Sequence, residues 1–308
     1  EIKFGEFCPD ELTLVFSERT QILSDLLFLK DNAGKVTVHT DISSSDIYSE
    51  GQDGNVYRTG GKLCIFRGPV EEGRVTIPDG VTEMCPDPFG DLEFTELYAN
   101  DLEMKENDSW SGAWQSRLVR LRLGARTEPS LVQSAFYSLE SIETDAREDG
   151  YVAEGGILYK DNDVYSVPPA IAAGGTLTLG GGGDVLNGAL DYNCAETIVF
   201  EDVGAIERSA CYAAEIVSVV FVGTAEVREG AFSNCYQLTS VRAETEASAT
   251  LEKYAFQWCD ALETIVLSEG FDSVAYNAVW GCKSFAGYRQ EEGCDKFIVS
   301  DGVLFVNG

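Results

Sequence analysis

The chain has 308 residues, 44% of them hydrophobic, with 52 acidic against 22 basic side chains and a formal charge of −30. That balance excludes nucleic-acid backbone, which needs a basic groove, and docking on an anionic membrane surface. No apolar run approaches the ~18 residues of a membrane span, so no membrane insertion is expected, and the acidic surface serves either solubility or attraction of a basic protein partner or divalent cations.

Residues 1–50 carry an apolar run, Leu12, Leu14, Val15 and Phe16. The stretch Arg19–Lys30, with Ile22, Leu23, Leu26, Leu27 and Leu29 on one stripe, predicts a short amphipathic helix. Val36 and Val38 predict a strand holding His39, the sole histidine. No GxSxG elbow or cysteine–histidine pattern accompanies it, so we expect a half-exposed strand residue rather than a catalytic one. This region shows no repeat and is expected to be a cap, or the degraded end of an array.

From residue 51 the chain repeats. The clearest copies are GAFSNCYQLTSVRA (230–243) and YAFQWCDALETIVL (254–267), with a looser NAVWGCKSFAGYRQ (277–290). The unit is Ala-aromatic, two residues, Cys, two residues, Leu or Phe, then a short run of strand character. Taking the first inward residue of each run as a marker gives Val75, Leu97, Leu121, Ile142, Leu177, Ile198, Val219, Val241, Ile265 and Tyr288. The steps are 22, 24, 21, 35, 21, 21, 22, 24 and 23 residues. Leu121/Leu123, Leu177/Leu179, Ile198/Phe200, Val219/Phe221 and Ile265/Leu267 alternate with period two, as a strand with one buried face does. Strands this short hold only when each pairs with the next rung, which predicts a solenoid with parallel strands over 51–308. Phe89, Trp114, Phe136, Phe232 and Phe256 are expected to fill its interior.

The 35-residue step contains GGILYKDNDVYSVPP (155–169), two apolar runs around a polar turn. That predicts a hairpin standing off the coil. Similar elements are expected within 60–80, near 60–75, and at 300–308, where the last strand lacks a partner. This leaves two expectations: the array continues, or another chain covers that end. Gly180–Gly183 lacks the GxxxxGK[ST] pattern of a phosphate loop and is read as a tight corner.

Nine cysteines occur, and Cys235, Cys259 and Cys282 recur at one coil position, with Cys194 one residue out of step. They are expected to stack as buried thiols; bridges between rungs or a bound metal are the other readings. Cys8, Cys64 and Cys294 are the better candidates for a disulfide, with the pairing open. Asn107–Ser109 is a formal glycosylation sequon. Asp161-Asn162-Asp163 offers oxygen ligands without EF-hand spacing and reads as a turn rather than a calcium site. Arg117, Arg120, Arg122 and Arg126 form the one basic cluster, either neutralised by neighbouring acids or a polar docking spot.

These pieces are similar to the BspA-type, or Treponema-type, leucine-rich repeats. VTIPDGVTEM (75–84), GGILYKDNDVYSVP (155–168), REGAFSNCYQLTSV (228–241) and LEKYAFQWCDALETIVL (251–267) carry the resemblance, which covers roughly 54–308. It implies a curved right-handed solenoid, a leucine-rich-repeat coil with short parallel strands on one face. Loops, short helical turns or brief strands make the other face, and β-hairpins are inserted. It implies no common catalytic site and no cofactor, and many members are secreted or surface proteins, several of them adhesins.

No metal-ligand spacing or stand-out carboxylate pair appears, so no enzyme is expected. The remaining candidate is the outer strand face, comprising Arg120, Arg122, Thr197, Val199, Ser218, Val220, Ser240, Arg242, Thr264 and Val266. Its small hydroxyls and valines suit protein contact better than a sugar cleft, which wants aromatics and amides. We therefore expect a non-catalytic interaction or adhesion scaffold, secreted or at the cell surface. The alternatives are a structural subunit of a larger cellular or organellar assembly, and a carbohydrate-binding module.

Overall fold

The computed structural model describes residues 47–85, 87–90, 92–103, 114–133, 136–300 and 303–306, with strand backbone at 11–15 and 37–41. The helix expected over 19–30 and the sequon at 107–109 lie outside the described residues. The chain divides into two compact units, residues 1–118 with 123–131, and 119–122 with 132–308.

In the first unit, β1 (Glu11–Val15) and β2 (Thr37–Asp41) pair in parallel, with Thr13 opposite His39. Next comes an antiparallel meander of β3 (Tyr48–Glu50), β4 (Val56–Arg58) and β5 (Lys62–Ile65). It begins earlier than the hairpin expected within 60–80. Its last strand is stitched onward in parallel. Leu63 N–H donates to Glu83 O at 2.9 Å, Cys85 N–H donates to Leu63 O at 2.7 Å, and Cys64 is bridged to Cys85. The solenoid strands β6 (Arg74–Thr76) and β7 (Glu96–Ala99) follow, with Val75 opposite Leu97. Phe89 is the hub of their core, edge-to-face with Phe66 at 5.7 Å, Phe94 at 5.0 Å and Trp114 at 5.1 Å.

Residues 120–122 of β8 (Arg120–Leu123) fall in the second unit, which continues with β9 (Ser141–Thr144). A second meander follows, β10 (Tyr151–Glu154), β11 (Ile157–Lys160) and β12 (Asp163–Ser166). This is the content of the 35-residue step. It does not stand off the coil. Ile142 N–H donates to Gly156 O at 2.9 Å, and β12 continues the coil's second sheet through the parallel bridges Val164–Val185–Ile206.

From there the chain alternates between two sheets. After β13 (Thr176–Gly180) come β14 (Thr197–Glu201) in front and β15 (Ala205–Ile206) behind. Then β16 (Ser218–Phe221) lies in front, β17 (Thr224–Val227) behind, β18 (Ser240–Ala243) in front and β19 (Ser248–Leu251) behind. The array closes with β20 (Thr264–Leu267) in front, β21 (Phe271–Val274) behind and β22 (Gly287–Gln290) in front, before the hairpin β23 (Phe297–Ser300) and β24 (Val303–Val306). The front sheet is all parallel, and Leu177, Ile198, Val219, Val241, Ile265 and Tyr288 pair in sequence along it. The back sheet is parallel too, with Ala225 opposite Ala249.

Between the sheets the core is continuous. Phe232 stacks on Phe256 at 5.0 Å and meets Phe200 edge-to-face at 6.0 Å, all three fully buried. Ala231 and Ala255 let the backbones approach. Phe232 N–H donates to Ala255 O, and Phe256 N–H to Ala278 O, both at 2.8 Å. The glycine run turns the corner after β13. Gly181 and Gly182 take φ of 105° and 81°, while a Cβ on Gly183 would sit 2.1 Å from Asn162 O, so only glycine fits.

Candidate functional site

The front face is built by the period-two pleat. From β13 to β20 the inward residue of each front strand is buried, with Tyr288 of β22 half-buried, and the residue beside it points out at the same height as its counterparts. Thr197, Ser218, Ser240 and Thr264 pair in order, making a hydroxyl row across four rungs, and Thr264 Oγ1 donates to Gly287 O at 2.8 Å. Val199, Val220 and Arg242 form the next row. Val220 is only 4% exposed, so it is part of the floor of this face rather than a contact. Val199 and Val266 are half-buried, while Ser240 and Arg242 are exposed. Arg242 pairs with Glu244, and Glu196, Glu201 and Glu263 are exposed along the rim.

Arg122 and Arg126 of the arginine cluster are drawn into ion pairs. Arg122 pairs with Asp145 at 2.6 Å, Arg126 donates to Asp101 at 2.9 Å, and Arg117 reaches Leu92 O at 3.3 Å. Arg120 is exposed on β8. The Asp161–Asp163 turn is used internally. Lys160 pairs with Asp161 at 2.7 Å, Asn162 donates to Gly181 O at 3.0 Å, and Asp163 accepts the Asp184 N–H at 2.9 Å.

The cysteine column is a ladder of donors. Cys235 Sγ lies 3.0 Å from Cys211 O, Cys259 Sγ 3.1 Å from Phe232 O, and Cys282 Sγ 3.0 Å from Phe256 O. Burial pushes the Cys211 and Cys259 thiols well up, and the Cys282 thiol is raised by its hydrogen bond to Cys259 and then by burial. Such thiols are poor nucleophiles and poor metal ligands at neutral pH. Cys294 is buried and free, so of the expected bridge candidates that the structure describes, only Cys64 is oxidised. Its partner, Cys85, was not singled out by the sequence. Among the described residues no cluster of three or more His, Cys, Asp or Glu is placed to hold a metal.

The turns opposite the strands hold features that the strand pattern did not reveal. In five consecutive copies the residue three past the repeat alanine is left-handed: Tyr192, Ala213, Asn234, Trp258 and Gly281, with φ of 57°, 53°, 63°, 57° and 78°. In each copy a tyrosine or tryptophan within two residues of this position stays in water. Tyr192, Tyr212, Tyr236, Trp258 and Trp280 are all exposed, and Tyr192 meets Tyr137 at 5.7 Å and Tyr212 at 6.4 Å, edge-to-face in both cases. The signal was present in the sequence as an aromatic within two residues of each of Cys194, Cys211, Cys235, Cys259 and Cys282, but the strand period does not weigh it.

Residues 190–296 match the family profile described as BspA type Leucine rich repeat region, in six copies. Residues 190–296 are thus similar in sequence to BspA-type leucine-rich repeats. Among solved structures the chain is similar to a leucine rich cell surface protein from Faecalibacterium prausnitzii A2-165, at 17% identity over 71% of this chain and 54% of that one, with a TM-score of 0.36. It thus spans about half of that relative's length. It is also similar to a leucine-rich repeat protein from Eubacterium ventriosum, at 16% identity over 84% of this chain and 99% of that one, TM-score 0.34. The pneumococcal vaccine antigen PcpA matches at 10% identity over 95% of this chain and 81% of that one, TM-score 0.38. No curated protein matches the chain.

Proposed function

We propose that this protein is a non-catalytic scaffold that binds another protein through the front strand face of its solenoid, at the cell surface or in secreted form. The observation that carries the reading is the Thr197–Ser218–Ser240–Thr264 row, a regular surface in register over four rungs. A row of short hydroxyls and half-buried valines, rimmed by carboxylates, offers shape and hydrogen bonds without a reaction centre. The acid excess favours a partner with a basic face. The Cys64–Cys85 bridge fits an oxidising compartment, and the Faecalibacterium protein is described as a cell surface protein.

Site-specific photo-crosslinking tests this in the producing cells. A benzophenone side chain at Ser240 or Thr264 is expected to trap one partner, whereas the same group at Glu226 on the back sheet traps none. Equal trapping from both faces, or from neither, sinks the strand-face reading. Loss of the protein's signal when intact cells are treated with an added protease checks the location.

A further inference from the structure

A cleft of about 230 Å³ lies at the start of the turn-side aromatic row, wholly within the second unit. Val132, Phe136, Val167 and Pro169 make its apolar wall, and Tyr137 and Tyr192 stand at its mouth with rings at 86° to each other. Among the described residues Asp191 is the one charged group lining it. Its carboxylate accepts the Tyr212 N–H at 3.2 Å, and no lysine or arginine among the described residues pairs with it. A half-buried carboxylate beside apolar walls is costly without a cation. We propose that this cleft receives a single arginine or lysine side chain from a basic segment of the protein partner. The identity of that occupant rests on the protein-binding reading; the cleft itself does not.

Three properties favour that occupant. The volume is below the ~300 Å³ lower bound of sites that take drug-sized ligands and suits one long side chain rather than an oligosaccharide. The wall accommodates the aliphatic stem, while Asp191 and the two phenol rings meet the cation by charge and by cation–π attraction. The formal charge of −30 steers basic segments toward the surface. Burial raises Asp191 to about 6. The other titratable groups facing it are Tyr137, Tyr192, Tyr212 and the Cys211 thiol; burial pushes Tyr192 and Cys211 further up, away from this range. Affinity for a cation should therefore rise as pH climbs through about 6 and Asp191 ionises.

The test is a titration of the full chain with the acetylated pentapeptide Gly-Gly-Arg-Gly-Gly, its lysine twin and its neutral citrulline twin, followed by NMR of tyrosine rings. The arginine and lysine peptides are expected to shift Tyr137 and Tyr192, and the citrulline peptide to shift neither. Asp191→Asn, which keeps the acceptor for Tyr212 N–H, is expected to weaken binding about tenfold and to abolish the pH dependence. Tyr137→Ala, at a side chain 55% exposed, should weaken it several-fold without changing the melting temperature. Equal binding of arginine and citrulline peptides, unchanged binding by Asp191→Asn, no binding of any peptide, or the same ring shifts produced by a neutral oligosaccharide would each overturn the proposal. Crosslinking from Ser240 separates the two readings. If it persists while the peptides fail, the cleft alone is wrong; if it is lost while the peptides bind as expected, the strand face alone is wrong.

Discussion

Ala213 and Asp191 show how the turns of this coil trade backbone and solvation energy. Ala213 occupies the left-handed position of its copy, φ 53°, where its N–H must reach Ser233 O at 3.0 Å. A Cβ there costs about 1–2 kcal/mol, and glycine returns part of that as extra freedom in the unfolded chain. Ala213→Gly is therefore expected to stabilise by about 0.5–1 kcal/mol, read as a shift in denaturant midpoint at constant m-value. Asp191 makes the opposite kind of compromise. Its folded value, about 6, lies above the ordinary 3.8 because burial opposes ionisation. The folded state thus binds the proton more tightly, so its contribution is most favourable below about 4 and is lost as pH rises to about 6. Asp191→Asn removes that loss. After discounting for partial exposure, it should stabilise by about 1–2 kcal/mol at neutral pH, with no gain near pH 4. Denaturation curves of both chains at the two pH values check it. A gain of equal size at both would mean that burial of the charge is not the cause.

At the scale of the rung, stability is a nearest-neighbour quantity. Phe256 touches Phe232 face to face at 5.0 Å, and its backbone is tied to Ala278 on the following coil. Phe256→Ala should cost about 3–5 kcal/mol, and Phe232→Ala a similar amount. The double variant is expected to lose less than the sum, because the second truncation removes a ring whose stacking partner is already gone. Additive losses in a double-mutant cycle would show that the two rings sit in independent environments. This element was legible in the sequence. All ten inward markers from Val75 to Tyr288 fall on strands, because a short strand with one buried face writes a period-two pattern, and here that pattern recurs once per coil. The back sheet was less legible. Residues such as Ala225, Glu226 and Ala249 have little strand propensity, and their pairing is imposed by the coil. The meander at 151–166 was visible as a hairpin, but the parallel bridge of Val164 to Val185 is a long-range contact with no local signature. The hydroxyl row on the front face follows directly from the markers. The cleft does not, since its walls come from stretches around residues 132–137, 166–169 and 187–192 that only folding brings together.

Across the whole chain the dominant imbalance is charge. The 52 acidic side chains exceed the 22 basic ones by 30, so even complete pairing of every lysine and arginine would leave most carboxylates facing one another. The pairs seen are mostly exposed, as in Arg228 with Glu226 and Glu252 or Lys283 with Asp260, and such pairs contribute about 0–1 kcal/mol each. Net repulsion therefore outweighs them and opposes the compact state. Because the repelling groups lie in water, salt should relieve them. The screening length falls from about 30 Å at 0.01 M to about 8 Å at 0.15 M, shorter than the separation of acids several rungs apart. The melting temperature is expected to rise by several degrees over that range of sodium chloride and then to level off. Magnesium and calcium chloride are expected to follow the same curve when plotted against ionic strength. A rise confined to micromolar calcium would mean that particular carboxylates converge on an ion, and diffuse repulsion would no longer account for the effect. No response to any salt would place the excess acids too far apart to matter, leaving the attraction of a basic partner to the local field around Asp191 alone.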